Sequence, residues 1–255
     1  MRKQGVLIIS HGSSKKEWVQ EVDDAVRAVR LPASVPVFSS FLEMVEGRLV
    51  QDGIDHLESQ GVGEMIVVPL FISSGSTHMD EISWALGVKP EPSVETDLTP
   101  FRLSAKVKLG KPIDDDPVIA NIVYEKLRPL STDPERETLL LVGHGTDVPG
   151  FHERWRQGLS RLAERVRKLG GFAACESAML LPDEASAKME ALQRRYPDDD
   201  PIVAPLFLSE GYFTGTVIPK RLAGKHYRYN GKALLPSPHI SEWIERQIRH
   251  LLSSS

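Results

Sequence analysis

The sequence has little cysteine, no long apolar run and no excess of basic charge. One cysteine, Cys175, among 255 residues excludes a disulfide framework and any zinc or iron–sulfur site held by several thiolates. The longest apolar segments, such as 65–72, are far shorter than the roughly 18 residues that cross a membrane. The apolar stretch before His11 is also too short for a signal-peptide core. We therefore expect a cytoplasmic protein without a membrane segment.

Basic residues do not outnumber acidic ones, since the chain has 31 Lys and Arg and 35 Asp and Glu, for a net charge of −4. A nucleic-acid partner is therefore not expected. Segment 211–241 is a local exception, since it has no acidic residue and five basic ones: Lys220, Arg221, Lys225, Arg228 and Lys232. Such a run is most often a solvated face. The alternative is a docking surface for a small polyanion.

Two motifs occur twice along the chain, in the same order. His11 follows an apolar run and precedes a glycine, and His144 does the same in the second half of the chain. Segment 66–75 closely matches segment 202–211, with nearly the same offset along the sequence. Two matched motifs in one order indicate that the chain arose by duplication.

Each half alternates short β-branched runs with longer segments of helical spacing, which predicts domains 1–130 and 131–255 that meet near 129–137. In the first half the predicted strands are 6–10, 35–39, 65–71 and 103–109. The predicted helices are 18–29, 45–58, 79–86 and 117–127. In the second half the predicted strands are 139–142, 172–177, 202–207 and a short one near Ala233. This alternation predicts an α/β fold of two duplicated, doubly wound domains, each a parallel four-stranded sheet flanked by helices.

Polar side chains follow three successive strands of the first half. His11 comes after the first strand, Glu43 after the second and His78 after the third. Ligands of such sheets bind beyond the carboxyl ends of the strands, so we expect these residues to converge. Two imidazoles and a carboxylate suit a divalent ion such as Fe²⁺ or Co²⁺ and leave coordination positions open. The same set could also transfer protons.

The second half keeps one of these three groups. His144 repeats His11, but the offset between segments 66–75 and 202–211 places Thr214 where His78 would fall and Met179 where Glu43 would fall. One active site per chain is therefore expected, in the first half. His144 and His152 remain candidates for a weak second metal site.

Four motifs in order give the chain a recognisable pattern: His11-Gly-Ser, Ser40-Phe-Leu-Glu43, Val68-Pro-Leu-Phe71 and Gly75-Ser-Thr-His78 with Met-Asp-Glu-Ile after it. Together they resemble the class II tetrapyrrole chelatases, in particular the sirohydrochlorin chelatases of the CbiX/SirB type. The resemblance covers essentially the whole chain. It implies two α/β domains with an active-site cleft between them, and insertion of Co²⁺ or Fe²⁺ into sirohydrochlorin on the way to cobalamin or sirohaem.

The resemblance also implies roles for the matched residues. His11 and His78 look like the two histidines that bind the metal. Glu43, or a histidine before the metal arrives, would accept the pyrrole protons. Sirohydrochlorin bears eight carboxylates around a macrocycle, so it needs basic groups at its rim and an open slot for the ring. Candidate substrate-binding residues are Ser13, Lys15, Phe41, Ser74, Gly75, Ser76, Thr77, Lys220 and Arg221. Further candidates are Lys16 and Lys232 for the rim, and Met44 and Phe213 for the slot.

Two positions depart from the family's pattern. Ser14 stands where many relatives have arginine, which leaves a substrate-carboxylate contact open. His78 comes three residues after Gly75 rather than two, which leaves room for a different metal or tetrapyrrole.

Two other functions compete with a chelatase. Histidine phosphatases also place His-Gly after the first strand, but an arginine normally precedes that histidine, and here Ser10 does. A metal or tetrapyrrole carrier would use the same residues without turnover. The expected partners and cofactors are otherwise few: the metal and the tetrapyrrole as substrates, no organic cofactor and no second subunit, since duplication already supplies two domains.

Overall fold

The apolar runs form the strands of two separate parallel sheets in the computed structural model, which describes residues 2–253. The first sheet has the order β2-β1-β3-β4 and comprises β1 (Lys3–Ser10), β2 (Val37–Phe41), β3 (Val62–Pro69) and β4 (Lys106–Leu109). The second has the order β6-β5-β7 and comprises β5 (Thr138–Gly145), β6 (Ala174–Leu181) and β7 (Ile202–Leu206). All pairs are parallel, which confirms the predicted α/β architecture.

Eight α-helices of the described residues connect or flank these strands: α1 (Lys16–Arg27), α2 (Val50–Ser59), α3 (Thr77–Ala85), α4 (Pro117–Leu127), α5 (Phe151–Gly170), α6 (Ala185–Arg195), α7 (Ile218–Arg221) and α8 (Pro238–Ser253). α4 has the predicted bounds because Pro117 begins it and the Asp116 side chain accepts a hydrogen bond from the Val118 amide at 3.0 Å. None of these helices, within residues 2–253, is long and apolar enough to cross a membrane.

The central strands are buried on both faces. Val6 to Ile9 of β1 and Met65 to Val68 of β3 have no exposed surface, because helices cover both sides of a parallel sheet. Leu7, Ile9 and Val67 pack with α2 residues such as Ile54 in the first core. Rigid central strands give the loops at their carboxyl ends a fixed starting point.

The predicted fourth strand of the second sheet does not form within the described residues. Ala233, Leu234 and Leu235 are buried, and the Leu234 and Leu235 amides donate to the carbonyls of Phe207 and Leu208 at 3.0 and 2.8 Å. Segment 233–235 is therefore apolar because it is buried beside the end of β7, but it does not form the hydrogen-bond ladder of a strand.

The compact units differ from the predicted domains at two helices. One unit comprises Met1–Pro112 together with Ile240–Ser255, and the other comprises Ile113–His239. α4, at the end of the first sequence repeat, belongs to the second unit, where it packs on α5. Nearly all of α8, at the end of the second repeat, belongs to the first unit, where the Ser241 hydroxyl donates to the Ala25 carbonyl at 2.8 Å. Each unit is thus completed by the last helix of the other repeat.

Candidate active site

The structure brings together the three polar residues predicted at the strand ends of the first unit. His11 directly follows β1, Glu43 follows β2 by two residues, and His78 lies in the first turn of α3. The ring centroids of His11 and His78 are 5.0 Å apart, with the rings at 70°. His11 Nδ1 lies 3.5 Å from Glu43 Oε1. The His11, Glu43 and His78 side chains are 42%, 50% and 37% exposed, so a ligand in solution can reach all three.

A close backbone approach fixes Glu43 beside His11. The Leu42 and Glu43 amides donate to the His11 carbonyl at 3.1 and 3.2 Å. Gly12 has φ +102°, and a Cβ at this position would lie 2.1 Å from the Glu43 carbonyl oxygen. Only glycine fits this contact, since it has no Cβ and tolerates a positive φ.

Gly12→Ala is therefore expected to destabilise the protein by about 1–3 kcal/mol and to move Glu43 away from His11. Gly47→Ala is the matched control, because Gly47 also has a positive φ, +73°, but its Cβ would meet nothing within 4 Å. Chemical denaturation of both variants measures the difference. Equal losses of stability would show that the close approach to Glu43 contributes nothing.

His78 has a partner that the sequence analysis missed. Its Nδ1 lies 2.8 Å from Glu81 Oε2, one helical turn later in α3, and the Glu81 side chain is only 16% exposed. The i, i+3 spacing of His78 and Glu81 in a predicted helix is the sequence signal that could have indicated this contact. A carboxylate on one ring nitrogen orients the imidazole and leaves Nε2 as the nitrogen with the free lone pair. Glu81 also lines an open groove with Trp84 and residues 92–97.

The loop between β3 and α3 contains three predicted substrate-binding residues, Ser74, Gly75 and Ser76, and the fourth, Thr77, begins α3. The Gly75 and Ser76 amides donate to the side-chain and backbone oxygens of Ser73, both at 3.0 Å. Gly75 is buried, while Ser74, Ser76 and Thr77 are partly exposed. Hydrogen bonds to Ser73 thus shape the turn that brings His78 to the site.

One other predicted substrate contact, Phe41, needs correction. Phe41 is fully buried. The Trp18 ring lies 6.4 Å and the Arg48 guanidinium 4.8 Å from the centre of its ring. Phe41 is therefore part of the core beneath the site and cannot line an open slot. Met44 remains available, at φ +65° and 61% exposed. Ser13 Oγ accepts from the Lys15 amide at 3.1 Å, which forms the turn before α1.

The basic segment 211–241 is mostly neutralised within its own unit. Four of its five basic side chains have acidic partners: Arg221 with Asp183, Lys225 with Glu190, Arg228 with Glu137 and Asp199, and Lys232 with Glu210. This corrects the expectation that Arg221 and Lys232 are free for a polyanion. Lys220, Lys15 and Lys16 are exposed and have no ion pair in the part of the chain that the structure describes.

The site offers two neighbouring imidazoles that could bind a metal ion, and the other coordination positions of such an ion would stay open. Within residues 2–253, no three His, Cys, Asp or Glu side chains are grouped so that they could hold a metal ion. Two neighbouring imidazoles suit a borderline divalent ion that keeps water or receives ligands from another molecule. The arrangement therefore suits transfer of a metal better than permanent storage.

Comparison with known proteins gives the family. The model of the CbiX family matches residues 5–130 and, a second time, residues 138–251. The chain belongs to the CbiX family. The two matches coincide with the duplication in the sequence, and we call the matched segments the first and second CbiX repeats.

Individual relatives agree with this assignment. The sirohydrochlorin ferrochelatase of Bacillus subtilis is 28% identical, covering 99% of this chain and 94% of the relative. The sirohydrochlorin cobaltochelatase of Methanopyrus kandleri is 26% identical, covering 48% of this chain but 94% of the relative, so it corresponds to a single repeat. The solved structure of SirB from Bacillus subtilis with Fe³⁺ has a TM-score of 0.74 and 19% identity, covering 98% of this chain and 96% of that one. It shares the fold.

The second CbiX repeat carries leucine where the first has Glu43. Sheet register pairs Gly145 with Leu181, and a Cβ on Gly145 would meet the Leu181 carbonyl at 2.4 Å, just as one on Gly12 would meet that of Glu43. The constant offset between the repeats, which places Met179 here, is wrong because the second repeat has a longer connection between β5 and β6, with 20 residues in α5 against 12 in α1. The conclusion that the carboxylate is lost is unchanged.

Phe213 takes the place of His78 in the second repeat. Its ring packs on His144 with a centroid distance of 4.8 Å and an angle of 82°, much as His78 packs on His11. The sequence offset had indicated Thr214, which is buried. His152 does not complete a second metal site, since its Nδ1 bonds the Thr146 carbonyl at 2.8 Å and its Nε2 lies 3.0 Å from Arg156 Nη2.

Proposed function

We propose that this protein inserts Fe²⁺ or Co²⁺ into sirohydrochlorin, with His11 and His78 as the metal-binding residues and Glu43 as the proton acceptor. The observation that carries the proposal is the pair of adjacent, half-exposed imidazoles beside a carboxylate, in a chain of the CbiX family. The names of the curated relatives, a sirohydrochlorin ferrochelatase and a cobaltochelatase, support the substrate.

Insertion requires an ion that is bound but not enclosed. His11 and His78 replace part of the hydration shell, and the remaining positions stay open to the four ring nitrogens of the tetrapyrrole. Imidazole binds both Fe²⁺ and Co²⁺, so the supply of each metal in the cell contributes to the choice.

Two pyrrole protons must leave as the metal enters the ring. The Glu43 carboxylate lies next to His11 and is half exposed, so it can accept a proton from the ring and pass it to water. General-base assistance of this kind typically contributes about 10²–10⁴-fold in rate. Lys15 and Lys16, exposed at the start of α1, are the basic groups we assign to the carboxylates of the substrate. A cytoplasmic location and a monomeric state are parts of the same proposal.

Multiple turnover is the decisive property. In an anaerobic absorbance assay, the full chain with sirohydrochlorin and either Co²⁺ or Fe²⁺ is expected to convert many equivalents of substrate, and the two rates rank the metals. Binding of one metal or one ring per chain, with no rate above the protein-free control, would contradict the proposal and leave a carrier.

Glu81 is expected to position His78 for metal binding. Glu81→Gln removes the negative charge from the hydrogen bond to His78 Nδ1, and we expect Co²⁺ affinity to fall about 10–100-fold with unchanged thermal unfolding. A Co²⁺ titration followed by visible absorption measures this. Glu95→Gln is the control, since Glu95 lines the same groove but is exposed. Equal Co²⁺ affinity of the two variants would exclude this role for Glu81.

A further inference from the structure

The second CbiX repeat retains an imidazole that the proposed function does not use. His144 Nδ1 lies 2.9 Å from the Gly145 carbonyl oxygen, so Nδ1 carries the proton and donates it. Nε2 therefore has the free lone pair, and the structure describes no hydrogen-bond partner for it within residues 2–253. His144 is partly exposed at the carboxyl end of β5, where ligands of parallel sheets bind.

The groups around His144 are apolar and aromatic. Phe213 packs edge-on against the imidazole at 4.8 Å, and Phe207 stacks on Phe213 at 5.4 Å and 13°. The Tyr212 ring lies 5.8 Å from that of Phe213, and Leu181 pairs with Gly145, next to His144. Leu181 and Tyr212 are unusually exposed for their type, at 42% and 66%. Aromatic and leucine side chains offer large apolar contact to a flat ligand.

One imidazole in apolar surroundings selects a particular ligand chemistry. A hydrated divalent ion gains little from a single nitrogen, and no carboxylate stands at the Leu181 position to assist. An iron or cobalt ion already held by four ring nitrogens, in contrast, accepts one imidazole as its axial ligand while the flat ring covers apolar side chains.

We propose that the second repeat binds a metallated tetrapyrrole, with His144 Nε2 as axial ligand and Phe213, Tyr212 and Leu181 against the ring. This inference rests on the proposed function, because the metallated ring is the product of that reaction. In this proposal the second repeat binds the product of the reaction, whereas the first repeat binds the free metal ion.

Iron(III) uroporphyrin, which also carries eight carboxylates, tests the proposal by absorbance and electron paramagnetic resonance titration of the full chain. We expect saturable binding of one ring with the spectrum of histidine-ligated iron. His144→Ala is expected to weaken that binding at least about tenfold and remove the histidine signature, and added imidazole to restore the signature. His144→Gln, which can still donate to the Gly145 carbonyl, serves if the alanine variant is unstable.

Two controls make the result specific. His152→Ala should leave iron(III) uroporphyrin binding unchanged, because both nitrogens of His152 are already engaged, and metal-free uroporphyrin should bind wild type and His144→Ala equally. Loss of the histidine signature in His11→Ala or His78→Ala, with His144→Ala unaffected, would overturn the proposal. Binding of the probe needs no insertion, so a chain that binds it through His144 without turnover would refute the proposed function alone.

Discussion

Replacement of His78 by alanine is expected to lower the rate of metal insertion by about 100-fold or more, because loss of a residue that merely orients a metal ligand already costs 10–100-fold. The His11 and His78 rings, 5.0 Å apart, can bind one ion together, whereas either alone competes poorly with water. His11→Ala should have a similar effect. Initial rates in the anaerobic absorbance assay, with Co²⁺ and Fe²⁺ in turn, provide the measurement.

His78→Phe is the sharper variant, since the second repeat naturally places a phenylalanine against its histidine in the same edge-on geometry. The ring packing beside His11 is kept and the nitrogen ligands are removed, so we expect the activity of His78→Ala with nearly wild-type thermal unfolding. His152→Ala should retain full activity. Insertion rates within a few-fold of wild type for His78→Phe would exclude His78 as a metal ligand.

Replacement of Arg228 by methionine is expected to cost about 3–5 kcal/mol in the free energy of unfolding, the range seen when one partner of a buried ion pair is removed. Arg228 Nη1 donates to Glu137 Oε1 at 2.6 Å and to the Leu130 carbonyl at 2.9 Å, and Nη2 donates to Asp199 Oδ1 at 3.0 Å. Glu137 is only 4% exposed. Methionine would leave two buried carboxylates without their cation.

Stability should also depend on pH through Glu137. Burial raises the pKa of this carboxyl group, but hydrogen bonds from Ser131, the Thr132 amide and Arg228 outweigh it and hold the pKa at about 2, against an ordinary 4.5. A lowered pKa in the folded state gives stability that is present above the ordinary value and lost as the pH falls from 4.5 towards 2. Glu137→Gln should flatten the dependence in that window.

Lys225→Met is the matched control for Arg228→Met. Lys225 comes from the same basic segment and pairs with Glu190 at 2.6 Å, but Glu190 is 47% exposed, and pairs in contact with water contribute little. Urea denaturation of both variants at neutral pH, and of wild type and Glu137→Gln from neutral pH down to about 3, measures these effects. Equal losses for Arg228→Met and Lys225→Met would contradict a structural role for the buried network.

The central strands and the first site could be predicted because their signals are local. The apolar runs of β1 and β3 and the Asp116-Pro117 start of α4 are short-range patterns, and parallel strands bring His11, Glu43 and His78 to one edge of the sheet. Which charged side chains pair with each other depends, in contrast, on the tertiary structure, so it could not be predicted from local patterns. From sequence, segment 211–241 is either a solvated face or a docking surface for a polyanion, and only the structure shows that Arg228 pairs with Glu137.

Exact correspondences between the repeats needed the structure. A single offset placed Met179 and Thr214 at the positions of Glu43 and His78. The longer connection through α5 shifts the first correspondence, and Phe213 follows Gly211 by one residue fewer than His78 follows Gly75. The segment Ala233–Leu235 is apolar because it is buried, as a central strand would be, so composition alone could not distinguish a buried loop from a strand.

Each compact unit contains the last helix of the other sequence repeat, and this sets the order in which the two units can be completed during synthesis. Unit Ile113–His239 is continuous along the chain, so all of it has been synthesised before α8 leaves the ribosome. The unit that carries His11 and His78 lacks α8 until residues 240–253 have been translated. In a nascent chain, unit Ile113–His239 can therefore be completed before the unit that carries His11 and His78.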